Sequence, residues 1–260
     1  MNAWLFDLGN SRLKCVPMAG DGALAAQSVQ EIAHEGGRFA DHAFAALPPA
    51  FDMAYVASVA GSALTAALLD ALSARCPLVS LVRTQPSCEG VRIAYAQPQR
   101  LGVDRFLALL AARSRGAQPW LVVGVGTALT IDLLDAGGVH HGGRIAPSPT
   151  LMREALHQRA PHLPASGGAY AEFADDTLPA LTSGCDGAAL GLIARSRDIA
   201  IERIGAPPRL LLHGGGATAL LPHLGDVEHA PALVLEGLAC WARAMTRPPC
   251  SAAAAGMRPA

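Results

Sequence analysis

An excess of charge of either sign is missing from this sequence. Twenty Lys and Arg face 21 Asp and Glu, for a formal net charge of -1. That leaves no basic footprint for a nucleic acid and no polybasic anchor for a membrane surface. Aromatic residues are scarce at 5% and charged residues reach only 16%, while hydrophobic residues make up 51%. So apolar a chain can build a sizeable core, which excludes wholesale disorder, and its alanine content points to close-packed helices. Apolar runs such as Phe106 to Ala112 are far too short to span a bilayer. The six cysteines (Cys15, Cys76, Cys88, Cys185, Cys240 and Cys250) include no C-x-x-C pair, which argues against a disulfide framework or a structural zinc site and for free thiols in a reducing compartment. Met1 to Asn10 has no basic stretch and reaches Asp7 early, unlike a signal peptide. The expectation is a cytoplasmic protein that contacts neither nucleic acid nor membrane.

Familiar catalytic signatures are missing too. No G-x-x-x-x-G-K-[ST] loop occurs. Gly124-Val125-Gly126 lacks the third glycine of a dinucleotide fingerprint, and an apolar β-prone run follows it instead of a helix. No H-E-x-x-H or nucleophile elbow is present. Adjacent His140 and His141 on a strand would point to opposite faces, so they read as exposed polar residues rather than metal ligands.

What the sequence does contain is a repeated layout. Asn2 to Leu8 and Leu13 to Met18 flank Gly9-Asn10-Ser11, the pattern of a hairpin. Phe51 to Val59 and Leu78 to Arg83 read as strands, and Ala63 to Ala74 and Val103 to Arg113 as helices. Then Trp120 to Val125, Gly126-Thr127 and Leu129 to Leu134 repeat the hairpin, and Val139 to Ile145 adds a strand. A long helix (Leu178 to Arg203), a strand (Arg209 to His213) and a closing helix (Leu233 to Met245) follow. The layout predicts two similar α/β halves, 1–117 and 118–246, followed by a disordered tail, 247–260.

Each hairpin tip can carry chemistry. A glycine there lets backbone amides approach a phosphate, Ser11 adds a hydroxyl, and Asp7 at the strand end can hold a hydrated magnesium ion. Read blandly, the same residues are an Asn-Ser turn with a capping aspartate. A second tip facing the first would supply donors from the other side of a triphosphate, with Thr127 on phosphate. Asp104, at a helix start, is either a cap or a base that accepts a hydroxyl proton, and Arg105 beside it can grip a carboxylate bidentately. Gly214-Gly215-Gly216 is either a place for adenine to lie against backbone or a plain turn.

Taken in order, these motifs resemble those of the type III pantothenate kinases, within the acetate kinase, sugar kinase, Hsp70 and actin superfamily. D-x-G-N-[TS]-x-x-K appears as Asp7 to Lys14, G-x-D-R as Gly102 to Arg105, G-T-A as Gly126 to Ala128, and G-G-x-I-x-P as Gly142 to Pro147. The resemblance covers Leu5 to about Met245. It implies two ribonuclease-H-like halves, each a mixed sheet flanked by helices, with the nucleotide site in the cleft between them. It implies ATP binding by Asp7, Leu8, Gly9, Asn10, Ser11, Arg12, Leu13, Lys14 and Thr127, with Mg2+ held through water at Asp7. Pantothenate would be bound by Tyr95, Gly102, Val103, Asp104, Arg105 and Thr177, with Asp104 as catalytic base. The implied reaction moves the ATP γ-phosphate to pantothenate, the first step of coenzyme A biosynthesis, in a homodimer. A K+ or NH4+ ion is also usual in the family, but the position of its aspartate ligand is Gly124 here. Two other readings remain open at this point, a regulatory accessory protein on the same fold and a kinase for another small acidic hydroxyl compound.

Overall fold

The structure is a computed structural model, and it describes residues 2–19, 24, 28–34 and 37–246. The tail expected at 247–260 lies outside the described residues. The first half opens with the hairpin of β1 (Ala3–Leu8) and β2 (Arg12–Met18), followed by β3 (Gln30–Ala33), β4 (Met53–Ser58), α1 (Ser62–Ser73) and β5 (Leu78–Leu81). A two-residue pair, β6 (Ser87–Cys88) and β7 (Val91–Arg92), leads into α2 (Val103–Ser114). The second half runs β8 (Trp120–Val125), β9 (Ala128–Leu134), β10 (His140–Pro147), α3 (Pro149–Arg159), α4 (Thr177–Ile204) and β11 (Arg209–His213). It closes with α5 (Ala217–Leu220), β12 (Val227–His229) and α6 (Leu233–Thr246).

The two halves share one topology. The first sheet has the order β3-β2-β1-β4-β5 and the second β10-β9-β8-β11-β12. In each, the opening three strands form an antiparallel meander, and the remaining two add in parallel beside the first. The periodicity of strand side chains then fixes the layers. Along β1, Trp4, Phe6 and Leu8 face one core together with Leu64, Leu68 and Leu72 of α1. Ala3 and Leu5 face another. Along β8, Leu121, Val123 and Val125 pack with Ala189, Ile193 and Ala200 of α4. Trp120 and Val122 join Leu5 in the central core.

That central layer, between the two sheets, is filled by α2 and α6. From Phe106 to Ala112 every residue of α2 is buried, as the uninterrupted apolar run in the sequence requires. α6 presents Leu233, Leu235, Leu238 and Ala239 to the same core. The two helices cross so closely at Gly237 that a Cβ there would collide with the backbone of Leu107. Arg115, the C-cap of α2, binds Glu228 of β12 at 2.8 Å and also Glu236 of α6, so charge reinforces the junction. Among the described residues, no helix is long and apolar enough to cross a membrane.

Candidate functional site

Toward the hairpin tips, the positions that face the central layer change from apolar to polar. On β1, Ala3 and Leu5 give way to Asp7, and opposite Asp7 on β2 stands Lys14. On β9, Leu134 gives way to Asp132 and Thr130. On β11, Leu211 gives way to His213, and on β8, Val122 gives way to Gly124. The core therefore opens into a cleft of about 530 Å3, lined by Asp7, Lys14, Gly124, Thr130, His213 and Asp104 among others.

Both tips reach over this cleft. Gly9 N–H bonds Arg12 O at 3.0 Å and Gly126 N–H bonds Ala128 O at 2.9 Å, so each turn is closed by its glycine amide, the second one residue tighter than the first. The tips meet, with Ser11 Oγ 3.2 Å from Thr127 Oγ1. Gly9, Asn10, Ser11 and Arg12 line the cleft beside Thr127. Leu8 and Leu13 do not, because their side chains are wholly buried in the core beneath the hairpin. Any part they take in nucleotide binding is through backbone. Gly214, Gly215 and Gly216 also line the cleft, packed beside the second tip with Gly216 N–H donating to Val125 O at 3.0 Å. Gly214 has φ +97°, and a Cβ on it would strike the backbone of Val125, so only glycine packs there.

Three carboxylates line the cleft, those of Asp7, Asp104 and Glu154, and the first two interact. Burial first, and then the neighbouring Asp104 charge, push Asp7 up to about 7 against the pull of Lys14. Asp104 sits in the first turn of α2 behind the N-cap Gly102, and its Oδ1 accepts the Arg105 N–H at 2.8 Å. A Cβ on Gly102 would lie 2.5 Å from that oxygen, so the glycine leaves room for the carboxylate. Burial raises the Asp104 pKa above the usual carboxylate range, opposed by the Arg105 amide and charge. Such a group is half-desolvated yet cleft-facing, which suits a base.

Arg105 is placed differently from the sequence expectation. Its guanidinium is 6% exposed, and its Nε and Nη2 donate to Asp132 at 2.8 and 2.6 Å. Nη1 donates to Tyr95 Oη at 3.4 Å. The bidentate face is thus taken by Asp132, which leaves Nη1 and the Tyr95 hydroxyl as the polar pair at the free end. Burial works against the Arg105 charge, but the Asp132 bonds outweigh it and hold its pKa above the ordinary value. Asp132 is likewise held low, His140 and Arg105 overcoming the effect of burial.

His140 corrects the sequence reading of an exposed strand residue. It is 1% exposed, and its Nε2 lies 2.9 Å from Asp132 Oδ1. Ala94 N–H donates to Nδ1 at 3.4 Å, so Nε2 carries the proton and donates to Asp132. His141 faces the other way and pairs with Asp135 at 2.7 Å. Asp132 and His140 are residues that sequence reasoning did not assign to the site. The signal lay in an acid within the β-prone run after Thr127, a position that burial leaves no choice but to pair. Val103 is a core residue, and Thr177 stands exposed at the start of α4, outside the cleft lining. Among the described residues, no group of three or more His, Cys, Asp or Glu is placed to hold a metal ion.

Comparison with known proteins agrees with this geometry. The sequence model of the family described as type III pantothenate kinase matches residues 4–198. A type III pantothenate kinase of Stenotrophomonas maltophilia (strain R551-3) is 58% identical over 242 residues, covering 93% of this chain and 98% of that protein. That of Xanthomonas euvesicatoria pv. vesicatoria (strain 85-10) is 59% identical over 248 residues, covering 95% and 100%. Among solved structures, a putative Baf family transcriptional activator from Campylobacter jejuni superposes with a TM-score of 0.61 at 19% identity, covering 90% of this chain and 94% of that one. A putative 2-dehydro-3-deoxygalactonokinase from Sinorhizobium meliloti gives 0.58 at 16%, covering 94% and 99%. At such identities the two structures speak for the fold alone.

Proposed function

The chain belongs to the type III pantothenate kinase family and catalyses the first step of coenzyme A biosynthesis, and from that premise we propose how its residues divide the work. ATP lies in the cleft with its phosphates between the two hairpin tips and its adenine toward Gly214 to Gly216. The observation that carries this reading is the contact between Ser11 and Thr127, which puts donors from both sheets on one spot beside two carboxylates. Ser11, Thr127 and the turn amides hold phosphate oxygens, and Lys14 adds charge.

A Mg2+ ion fits at Asp7, reached through water. The fit rests on a carboxylate that burial and Asp104 push up to about 7, since a cation relieves the strain of ionising it. Bound there, the ion supplies neutralisation of charge on the phosphates.

Pantothenate enters from the side of α2. Its carboxylate end meets the Tyr95 hydroxyl and the Nη1 of Arg105 that donates to it, while Gly102, Val103 and Asp104 border the reacting hydroxyl. Asp104 takes the hydroxyl proton as that oxygen bonds to the γ-phosphorus. The bond from the γ-phosphorus to the bridging oxygen breaks, and ADP leaves with that electron pair. The products are 4'-phosphopantothenate and ADP. Thr177 is exposed and outside the cleft lining of its own protomer, and in a homodimer it would reach the partner's substrate. We take 1–117 and 118–246 as the two units that carry the tips, and the cytoplasm as the place of action.

The deciding experiment mixes purified protein with pantothenate and MgATP and follows ADP release and phosphopantothenate by mass. Both products are expected in equal amounts. ADP without phosphopantothenate would show that pantothenate is not the acceptor.

A further inference from the structure

The shared strand order relates the two hairpins, and matching their tips sets Asp7-Leu8-Gly9 against Gly124-Val125-Gly126. Where the first half carries a carboxylate, the second carries no side chain. The neighbouring parallel strands show the opposite exchange. Ala57 of β4 is the registered partner of Asp7, whereas His213 of β11 is the registered partner of Gly124. The side chain has moved one strand over, and it has changed from an acid to an imidazole.

The exchange is sterically tight. Thr130, the partner of Gly124 across β9, and His213 close over the glycine from both sides. A Cβ at 124 would lie 2.7 Å from Thr130 Oγ1, 2.9 Å from His213 Nε2 and 3.1 Å from His213 Cε1. A carboxylate grown from this position has no room unless the Thr130 hydroxyl turns aside and His213 leaves. Electrostatics point the same way. Burial, aided by the Lys14 charge, lowers the His213 pKa to about 4, so the group is a neutral imidazole near neutral pH. Hard and alkali cations are held by oxygens, carboxylate or carbonyl, and the atoms nearest this place are one hydroxyl and a ring nitrogen, with the Lys14 ammonium nearby and the Asp132 carboxylate already engaged by Arg105 and His140. The K+ or NH4+ usual in the family takes its aspartate ligand at the position of Gly124, and the residues present here do not fit such an ion.

We infer that this enzyme works without a monovalent cation, the His213 imidazole and the Thr130 hydroxyl filling the place that the ion and its carboxylate would need. The inference rests on the kinase reading for its context, but its test does not depend on turnover. The affinity for Mg-AMPPNP and the rate of phosphopantothenate formation are measured in KCl, NH4Cl and tetramethylammonium chloride at one ionic strength, so that general screening is constant. Both are expected to agree across the salts within about twofold. A gain of about tenfold or more in K+ or NH4+, in either readout, overturns the inference. Nucleotide binding that is equal in all salts, with no phosphopantothenate in any, would uphold the inference and refute the substrate assignment.

A second arm asks whether position 124 is the place. The double variant Gly124→Asp/His213→Ala restores the acid and removes the imidazole, leaving the Thr130 hydroxyl to turn aside as a further oxygen ligand. Once circular dichroism shows that it is folded, its Mg-AMPPNP affinity is expected to rise about tenfold or more in K+ over tetramethylammonium. A folded variant that stays indifferent to K+ would overturn the assignment of that place. Should the variant not fold, the salt series on the unaltered protein decides alone.

Discussion

At the scale of single residues, the site is built on unequal carboxylates. Asp104 faces the cleft with a pKa above the usual carboxylate range, while Asp132 is held below it by His140 and Arg105. The first is the one that its surroundings dispose to take up a proton, so replacing it removes that base together with the charge that helps push Asp7 up. Asp104→Asn is expected to lower kcat by about 10²- to 10⁴-fold with an unchanged circular dichroism spectrum. Because burial keeps both Asp104 and its neighbour Asp7 protonated to higher pH, the acidic limb of kcat/KM should fall away above the range of an ordinary carboxylate. A limb at or below the ordinary range would show that burial does not tune this pair. Asp132 predicts the reverse pattern. Asp132→Ala leaves the Arg105 charge buried and unpaired, and a loss of about 3–5 kcal/mol in urea unfolding is expected. Much of this scale was legible in the sequence, because Asp7, Ser11, Asp104 and Thr127 stand at strand ends and a helix start, where position alone implies exposure to a cleft. His140 was not legible, since a histidine on a strand reads the same whether it meets water or a buried acid. Nor was the engagement of Arg105 on α2, whose partner lies 27 residues away on β9.

At the scale of elements, the strands and long helices follow from periodicity almost to the residue, as at Trp120–Val125 and Arg209–His213. α3 was missed. Its start carries a clear cap, Ser148 accepting from Leu151 N–H at 3.3 Å with Pro149 in the first turn. That proline is its one buried residue, however, so no apolar period marks the helix body. Short strands such as β3 and β12 fail for a similar reason. They lean on an established sheet edge and need little pattern of their own. The most exacting element contact is the α2–α6 crossing at Gly237, where any Cβ meets the Leu107 backbone. Gly237→Ala should force the helices apart and cost about 1–3 kcal/mol despite alanine's better helix propensity. Urea denaturation would check it, and a stabilised variant would mean that the crossing yields more readily than its geometry suggests.

At the scale of the molecule, the cleft belongs to both sheets and to neither alone. A nucleotide gripped by Ser11 on one side and Thr127 on the other stabilises the two halves together. Addition of Mg-AMPPNP is therefore expected to shift one cooperative melting transition upward, by about 2.7 kcal/mol at a hundredfold excess over Kd. A split transition, with one half shifted and the other not, would contradict the shared grip. Two halves with one topology were legible in the repeated hairpin, whereas their common central layer was not. The sequence pattern shows that α2 and α6 are apolar, but not that both fill the same space.

That layer has a consequence for how the chain is made. Leu233, Leu238 and Ala239 of the last helix complete the core that also holds Leu5, Val16 and Tyr55. When α2 emerges from the ribosome, the partner for its second face has not been synthesised. At usual elongation speeds the interval from Ser114 to Leu233 is on the order of ten seconds. For that time the first half carries an uncovered apolar helix, and its own core is finished only by the end of translation.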